Sequence, residues 1–313
     1  MSEDYPRTLM ELEERFSSEE ACLEYLAQRR WPNGFSCSGC GCREAWRAVR
    51  GLWVCRNCLR QTTVTAGTIF ADSHLSLRLW FRAIWQVVTQ KDGASAMGLQ
   101  RVLGLGSYRT AWSLLHKLRR AMVRPGRERL RGSVEVDECY FGAPERGKNG
   151  RQSGRKTLVI AAVECVGERK IGRIRLRKIQ AASAIELEAF IGEAIEPGAM
   201  VCTDDWSGYR GLRAKGSYHH HPTSMRLSAA NGEMALPRVH LVFSLLQRWL
   251  MSTHQGAVRQ SHLDYYLDEF TFRFNRRTSA SRGKLFYRLI EQALGIDPVP
   301  YRSLRAGNPP KHN

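Results

Sequence analysis

Two C-x2-C pairs set the strongest constraint on what this chain can fold into. Cys37 and Cys40 form one and Cys55 and Cys58 the other, and the residues between them include Trp46, Val49, Leu52 and Trp53. Four thiolates in such pairs converge tetrahedrally on one zinc ion, each pair supplying two ligands from a tight turn. Residues 31–70 are therefore expected to form a zinc ribbon, with metal binding supplying on the order of 10 kcal/mol of its folding free energy. A redox dithiol needs only one pair, and two disulfides need an oxidising compartment. Nine cysteines, five of them outside the two pairs, fit free thiols in a reducing cytoplasm. Cys42 is expected to stand outside the ligand set. A site closed by four cysteines has no open position for water or substrate, so this metal organises a recognition module and performs no chemistry.

Composition narrows the partner. The 313 residues carry 48 Lys plus Arg against 30 Asp plus Glu, a formal charge of +18. A field of that sign favours a phosphate backbone or an anionic membrane surface. No apolar run is long enough to span a bilayer, which tilts the choice to nucleic acid. The charge is uneven. Residues 11–24 are acidic, whereas 117–131 carry Lys117, Arg119, Arg120, Arg124, Arg127, Arg129 and Arg131 against Glu128 alone. The basic surface is expected to begin there.

Length allows two or three domains, and the chain reads as five segments. Residues 1–30 form a helical segment, with Ser17 and Ser18 ahead of an acidic first turn. The ribbon at 31–70 follows. Within 71–125, a buried helix runs from Leu75 to Thr89. A first helix carrying Met97, Leu99 and Val102 then turns through Gly104-Leu105-Gly106 into a second that Ser107 caps. This fits a helix-turn-helix, in which Ser107, Tyr108, Arg109 and Thr110 reach DNA while Trp112 and Leu115 face the core.

From 130 to 280 the periodicity turns extended. Strands are expected at 133–138, 157–163 and 171–177, then a helix at 183–195, then a strand at 200–204 ending in Asp204-Asp205-Trp206. On the third strand Arg173, Arg175 and Arg177 share one face, most simply an exposed one and otherwise a phosphate track. Three strands in hairpin order, a crossover helix and a further strand parallel to the first is the order of a ribonuclease-H-like mixed α/β sheet flanked by helices, an order that competing α/β topologies share. In that fold Asp137 and Asp204 lie on adjacent strands within reach of the same pair of divalent cations, a site for in-line attack on phosphate. Taken singly, either aspartate also serves as a turn cap at a strand end. Glu138 is expected to point to the opposite side from Asp137. A helix over 239–251 packs on the sheet, and 281–313 forms a basic tail, disordered from Pro298.

Several motifs now carry a resemblance in one order: the ribbon, QTTVTAGTIF, LGLGSYRTAW, VDECYFG at 136–142, TDDWSGY at 203–209, STHQGAV at 252–258 and HLDYYLDEFTFRFNRR at 262–277. Together they resemble the bacterial insertion-sequence transposases that join an N-terminal zinc ribbon to a DDE-type, ISXO-like catalytic domain. The resemblance implies binding to transposon ends and target in double-stranded DNA, and strand cleavage and transfer with Mg2+ or Mn2+ held by Asp137 and Asp204. It also implies a homo-oligomer in the DNA complex and a cytoplasmic, nucleoid-associated bacterial protein. On it, Leu245 occupies the third metal-ligand position, where leucine has no atom to coordinate a cation. Glu233, His240 and His254 are candidate substitutes. The alternative is a catalytically inactive DNA-binding regulator derived from a transposase, in which both aspartates are structural.

Overall fold

The computed structural model describes residues 4–124, 126–142, 156–168, 170–214, 216–224, 230, 234–256 and 258–307. The chain divides into two compact units, residues 4–124 with 279–307 and residues 126–278.

The first unit opens with α1 (Leu9–Arg15) and α2 (Glu19–Arg30). Ser18 Oγ accepts the Ala21 amide at 3.1 Å, so the serine cap forms as the sequence indicates. The ribbon follows as three short antiparallel strands, β1 (Ala45–Arg47), β2 (Trp53–Cys55) and β3 (Gln61–Thr62). Next come α3 (Leu77–Thr89), α4 (Ala96–Leu103) and α5 (Tyr108–Ala121). Gly104 ends α4 in the left-handed region at φ 64°, which lets the Leu105 amide return to the Gln100 carbonyl at 2.9 Å. Ser107 then caps α5 through the Thr110 amide at 3.1 Å.

The second unit is a five-stranded mixed sheet in the order β6-β5-β4-β7-β8. Strands β4 (Ser133–Phe141), β5 (Thr157–Val166) and β6 (Lys170–Ile179) form an antiparallel meander. Helix α6 (Ala184–Ala194) crosses over to β7 (Met200–Asp204), parallel to β4, and the short α7 (Gly211–Ala214) leads to the edge strand β8 (His219–Thr223). Helices α8 (Pro237–His254) and α9 (Leu263–Asn275) follow. The faces separate by strand parity. Val134 and Val136 pack with Leu187 and Ile191 of α6, whereas Val159, Ala161 and Val163 pack with Val242 and Leu246 of α8 and Leu267 of α9. Burial on both faces explains the continuous apolar run of β5. This is the ribonuclease-H-like arrangement expected from the element order.

The chain then returns to the first unit as α10 (Arg282–Leu294) and α11 (Tyr301–Ala306). Phe286 is buried with Phe16 and Phe81, and the Phe81 and Phe286 rings meet edge to face at 5.5 Å. A Cβ at position 283 would collide with the Pro6 carbonyl, so glycine permits this approach.

Three expectations need correction. The segment from Pro298 is not a disordered tail as far as residue 307, because Leu304 of α11 is fully buried and α11 packs on α5. The rest of that tail and the basic stretch 143–155 lie outside the described residues. The arginines of β6 form no open track: Arg175 is 5% exposed and donates to the Glu128 carbonyl at 2.6 Å, Arg173 pairs with Glu164 at 2.7 Å, and Arg177 pairs with Glu193. Burial pulls the Arg175 guanidinium down to about 9. Nor is the 117–131 stretch a uniform basic surface, since Arg119 and Arg120 are buried and the Lys117 ammonium lies 5.8 Å from the Trp80 ring centroid. Strand β8 was not expected, because an edge strand reading His-His-His-Pro-Thr lacks the apolar alternation of a half-buried one.

Candidate functional site

In the ribbon, Cys37, Cys40, Cys55 and Cys58 bring their sulfurs within 4.8 Å of one another. The Cys37–Cys58 and Cys40–Cys55 sulfur separations are 3.6 and 3.5 Å. Tetrahedral zinc with bonds of about 2.3 Å requires about 3.8 Å between sulfurs, so this geometry fits that ion. Backbone amides lower the pKa of three of the four thiols, whereas the Cys58 thiol, against the Arg60 amide that lowers it, is pushed up to about 12 by the Cys40 and Cys37 sulfurs. The N–H groups of Gly39, Cys42 and Cys58 hold the thiols of Cys37, Cys40 and Cys55 below their ordinary value. Cys42 is outside the cluster and turns to its own chain, with the Glu44 amide donating to its sulfur at 3.4 Å.

In the helix pair α4–α5, the first turn of α5 is open and most of the rest is covered. Ser107, Tyr108 and Arg109 are exposed, whereas Ala111, Leu114, Leu115 and Leu118 are buried. The Arg109 guanidinium lies 4.7 Å from the ring centroid of Tyr301 on α11. A cavity of about 620 Å³ beside it is lined by Arg109, Thr110, Lys117, Trp80 and Tyr301 among others. Burial lowers the pKa of the Lys117 ammonium.

The second unit assembles the carboxylates. Parallel pairing sets Ser133 beside Met200 and Glu135 beside Cys202. The observed pairing stops there; Asp137 and Asp204 each follow it by two residues on their own strands. The Asp204 charge is felt at Asp137. The Asp137 carboxyl is pushed up to about 7, first by burial and then, against the Glu138 amide that lowers it, by the charges of Glu138 and Asp204. Its Oδ1 accepts that amide at 2.8 Å, and Asp204 Oδ1 accepts the Trp206 amide at 3.1 Å. Glu138 points to the other face as expected, taking the hydroxyl of buried Tyr209 at 2.6 Å.

Helix α8 forms the other wall. His240 Nδ1 lies 3.8 Å from Asp137 Oδ2, and a cleft of about 530 Å³ is bounded by Asp137 and Cys139 of β4 and by His240, Ser244, Gln247 and Arg248 of α8. Leu245 is absent from that wall. It packs against the core cluster under α8, about 140° round the helix from His240 at 100° per residue. The structure therefore brings His240 to Asp137, keeps Asp204 on the neighbouring strand outside the cleft lining, and leaves Leu245 aside; among the described residues only the four cysteines gather within 4.8 Å as a possible metal cluster. His254 also lies elsewhere, fourteen residues further along the same helix, or about 21 Å. Its ring sits edge to face against Trp249 and Tyr266, each at 4.7 Å. Glu233 lies outside the described residues.

The donors decide which ion each set of side chains could hold. Soft sulfur at tetrahedral spacing suits zinc, and two carboxylates with an imidazole suit a divalent cation that takes oxygen and nitrogen. Sequence reasoning missed Glu135, buried two residues before Asp137 and bonded to Arg238; an acid alternating with valines ahead of the aspartate was the available signal.

The transposase zinc-ribbon domain matches residues 17–61, and the ISXO2-like transposase domain matches residues 129–275. A protein of Halobacterium salinarum, described as an uncharacterized protein in transposable element ISH50, is 28% identical over 278 residues, covering 82% of this chain and 91% of that relative. No helix among the described residues is long and apolar enough to cross a membrane. With four clustered cysteines ahead of a mixed sheet flanked by helices, the chain joins a transposase zinc-ribbon domain to an ISXO2-like transposase domain.

Proposed function

We propose that this protein is a DNA transposase that binds element ends through its zinc ribbon and helix-turn-helix and cleaves and transfers DNA strands at Asp137, Asp204 and His240. The observation that supports the reading is the approach of His240 to Asp137, 3.8 Å, with Asp204 on the neighbouring strand. Asp137 and Asp204 offer hard oxygen donors, and His240 offers a ring nitrogen where the family resemblance puts Leu245. When bound, Mg2+ or Mn2+ would polarise the scissile phosphate and lower the pKa of an attacking water or 3'-hydroxyl. Arg248 on the cleft wall is suited to a neighbouring phosphate. Joining two ends requires at least two copies on the DNA, and the working location is the bacterial nucleoid.

The test is Mn2+-dependent cleavage of end-containing DNA. The wild-type protein is expected to cleave, and Asp137→Ala, Asp204→Ala and His240→Ala to bind the same DNA without cleaving it. Efficient cleavage by Asp137→Ala removes the site. Binding without cleavage by the wild type turns the reading to a regulator.

A further inference from the structure

We infer that Glu135 is a positioning residue that fixes the helix carrying His240 to the strand carrying Asp137. The inference rests on the reading of His240 as a metal ligand. Helix α8 begins without help from its own sequence: its N-cap is Leu236, in the left-handed region at φ 50°, with no side-chain cap, and Pro237 opens the first turn. Orphan amides at a buried helix start need acceptors. Glu135 supplies them from β4. Its Oε2 accepts the amides of Arg238 at 2.8 Å and Val239 at 2.9 Å, and its Oε1 accepts Arg238 Nη1 at 2.9 Å. The same guanidinium donates from Nη2 to the carbonyls of Gly167, at 3.0 Å, and Glu168, tying in the hairpin after β5.

The placement gives this cap its consequence. Glu135 is 4% exposed and lies one pleat from Asp137 on the same face, while the capped amides immediately precede His240. One carboxylate thus sets the distance between two side chains of the metal site, and the N-cap residue itself supplies no side-chain cap. An apolar residue at 135 would leave two amides and a guanidinium facing a dry wall, and α8 would shift or fray at its first turn. His240 lies in that turn. Glutamine keeps the volume but replaces one acceptor by a donor aimed at other donors. Aspartate keeps the charge but draws it back by one methylene.

The experiment is titration of full-length, zinc-loaded protein with Mn2+ alone, reading free Mn2+ by electron paramagnetic resonance. Wild type, Glu135→Gln, Glu135→Asp, His240→Ala and the Glu135→Gln/His240→Ala double variant are compared. Each Glu135 variant is expected to weaken Mn2+ binding about tenfold, within the range found for residues that orient metal ligands. The double variant is expected to bind no more weakly than His240→Ala, because both changes act through one ligand. A purely structural role would lower the thermal midpoint and leave Mn2+ binding by the folded protein unchanged. Wild-type affinity in the folded Glu135 variants, with His240→Ala weakened, overturns the inference and leaves His240 a ligand. Unchanged affinity in His240→Ala overturns the ligand reading and this inference with it.

Discussion

His240 Nδ1 stands 3.8 Å from Asp137 Oδ2 although 103 residues separate the two in the chain. Strand β4 delivers the carboxylate and the first turn of α8 delivers the imidazole. The pair defines the mouth of the cleft, and the substitutions that test the site follow from it.

Removing the imidazole should cost more than the roughly 10–100-fold lost when an outer-shell partner of a metal ligand is removed. His240→Ala is therefore expected to lower Mn2+-dependent cleavage by at least about 100-fold with DNA binding intact. Leu245→Asn should bring no gain, because its side chain packs against the core under α8. It should instead lower the thermal midpoint, since the half-buried leucine loses its apolar contact with the core. Cleavage assays with thermal unfolding of the same two variants check both halves.

Asp137 makes stability depend on pH. Its folded pKa, raised to about 7, lies above the usual unfolded value near 4, so the folded state holds this proton more tightly. Between about pH 4 and pH 7 the group's contribution is lost as pH rises. Asp137→Asn is therefore expected to raise the unfolding midpoint of the protein without divalent cation at pH 8. Near pH 4 the two proteins should unfold together, and unfolding curves at both pH values with the zinc retained test this.

The ribbon should depend on its metal as a unit. Cys55→Ser, or chelation of zinc, is expected to unfold residues 31–70 and abolish end binding, with on the order of 10 kcal/mol of metal-linked folding energy at stake. Cys42→Ser should leave both zinc content and binding unchanged, since Cys42 lies outside the cluster. Zinc analysis and a mobility-shift assay report the two properties.

End recognition should centre on the open first turn of α5. Arg109→Ala is expected to cost about 1–3 kcal/mol of DNA affinity if the guanidinium reads a base, or to reduce the salt slope by about one if it meets a phosphate. Tyr301→Ala should follow in the same direction and by less, because the ring lies against that guanidinium. Arg119→Ala is expected to lower stability instead, the side chain being 2% exposed. Salt-dependent binding titrations separate these cases.

The legible parts of the sequence were those whose physics is local. Two cysteine pairs fix their own spacing, Ser18 and Ser107 cap the turns that follow them, and the valines flanking Glu135 set which side of β4 Asp137 occupies. The neighbouring placement of β4 and β7 was readable from the element order, whereas β4 runs on past Asp137 to Phe141, so that aspartate lies within its strand and not at the end the sequence suggested. The phase of α8 was not. Leu241, Leu245 and Trp249 make an apolar line as good as Val242, Leu246 and Leu250, yet Leu241 is exposed, and only the packed sheet decides which face turns inward. The same holds for Arg119, Arg120 and Arg175, whose burial depends on packing that composition does not carry.

The most direct measurement is an anomalous difference map from crystals of the full-length protein bound to end DNA and Mn2+. The account predicts a manganese peak in contact with the carboxylates of Asp137 and Asp204 and the imidazole of His240, beside a DNA phosphate. A peak that touches the aspartates while His240 turns away, or manganese bound elsewhere on the chain, would contradict it.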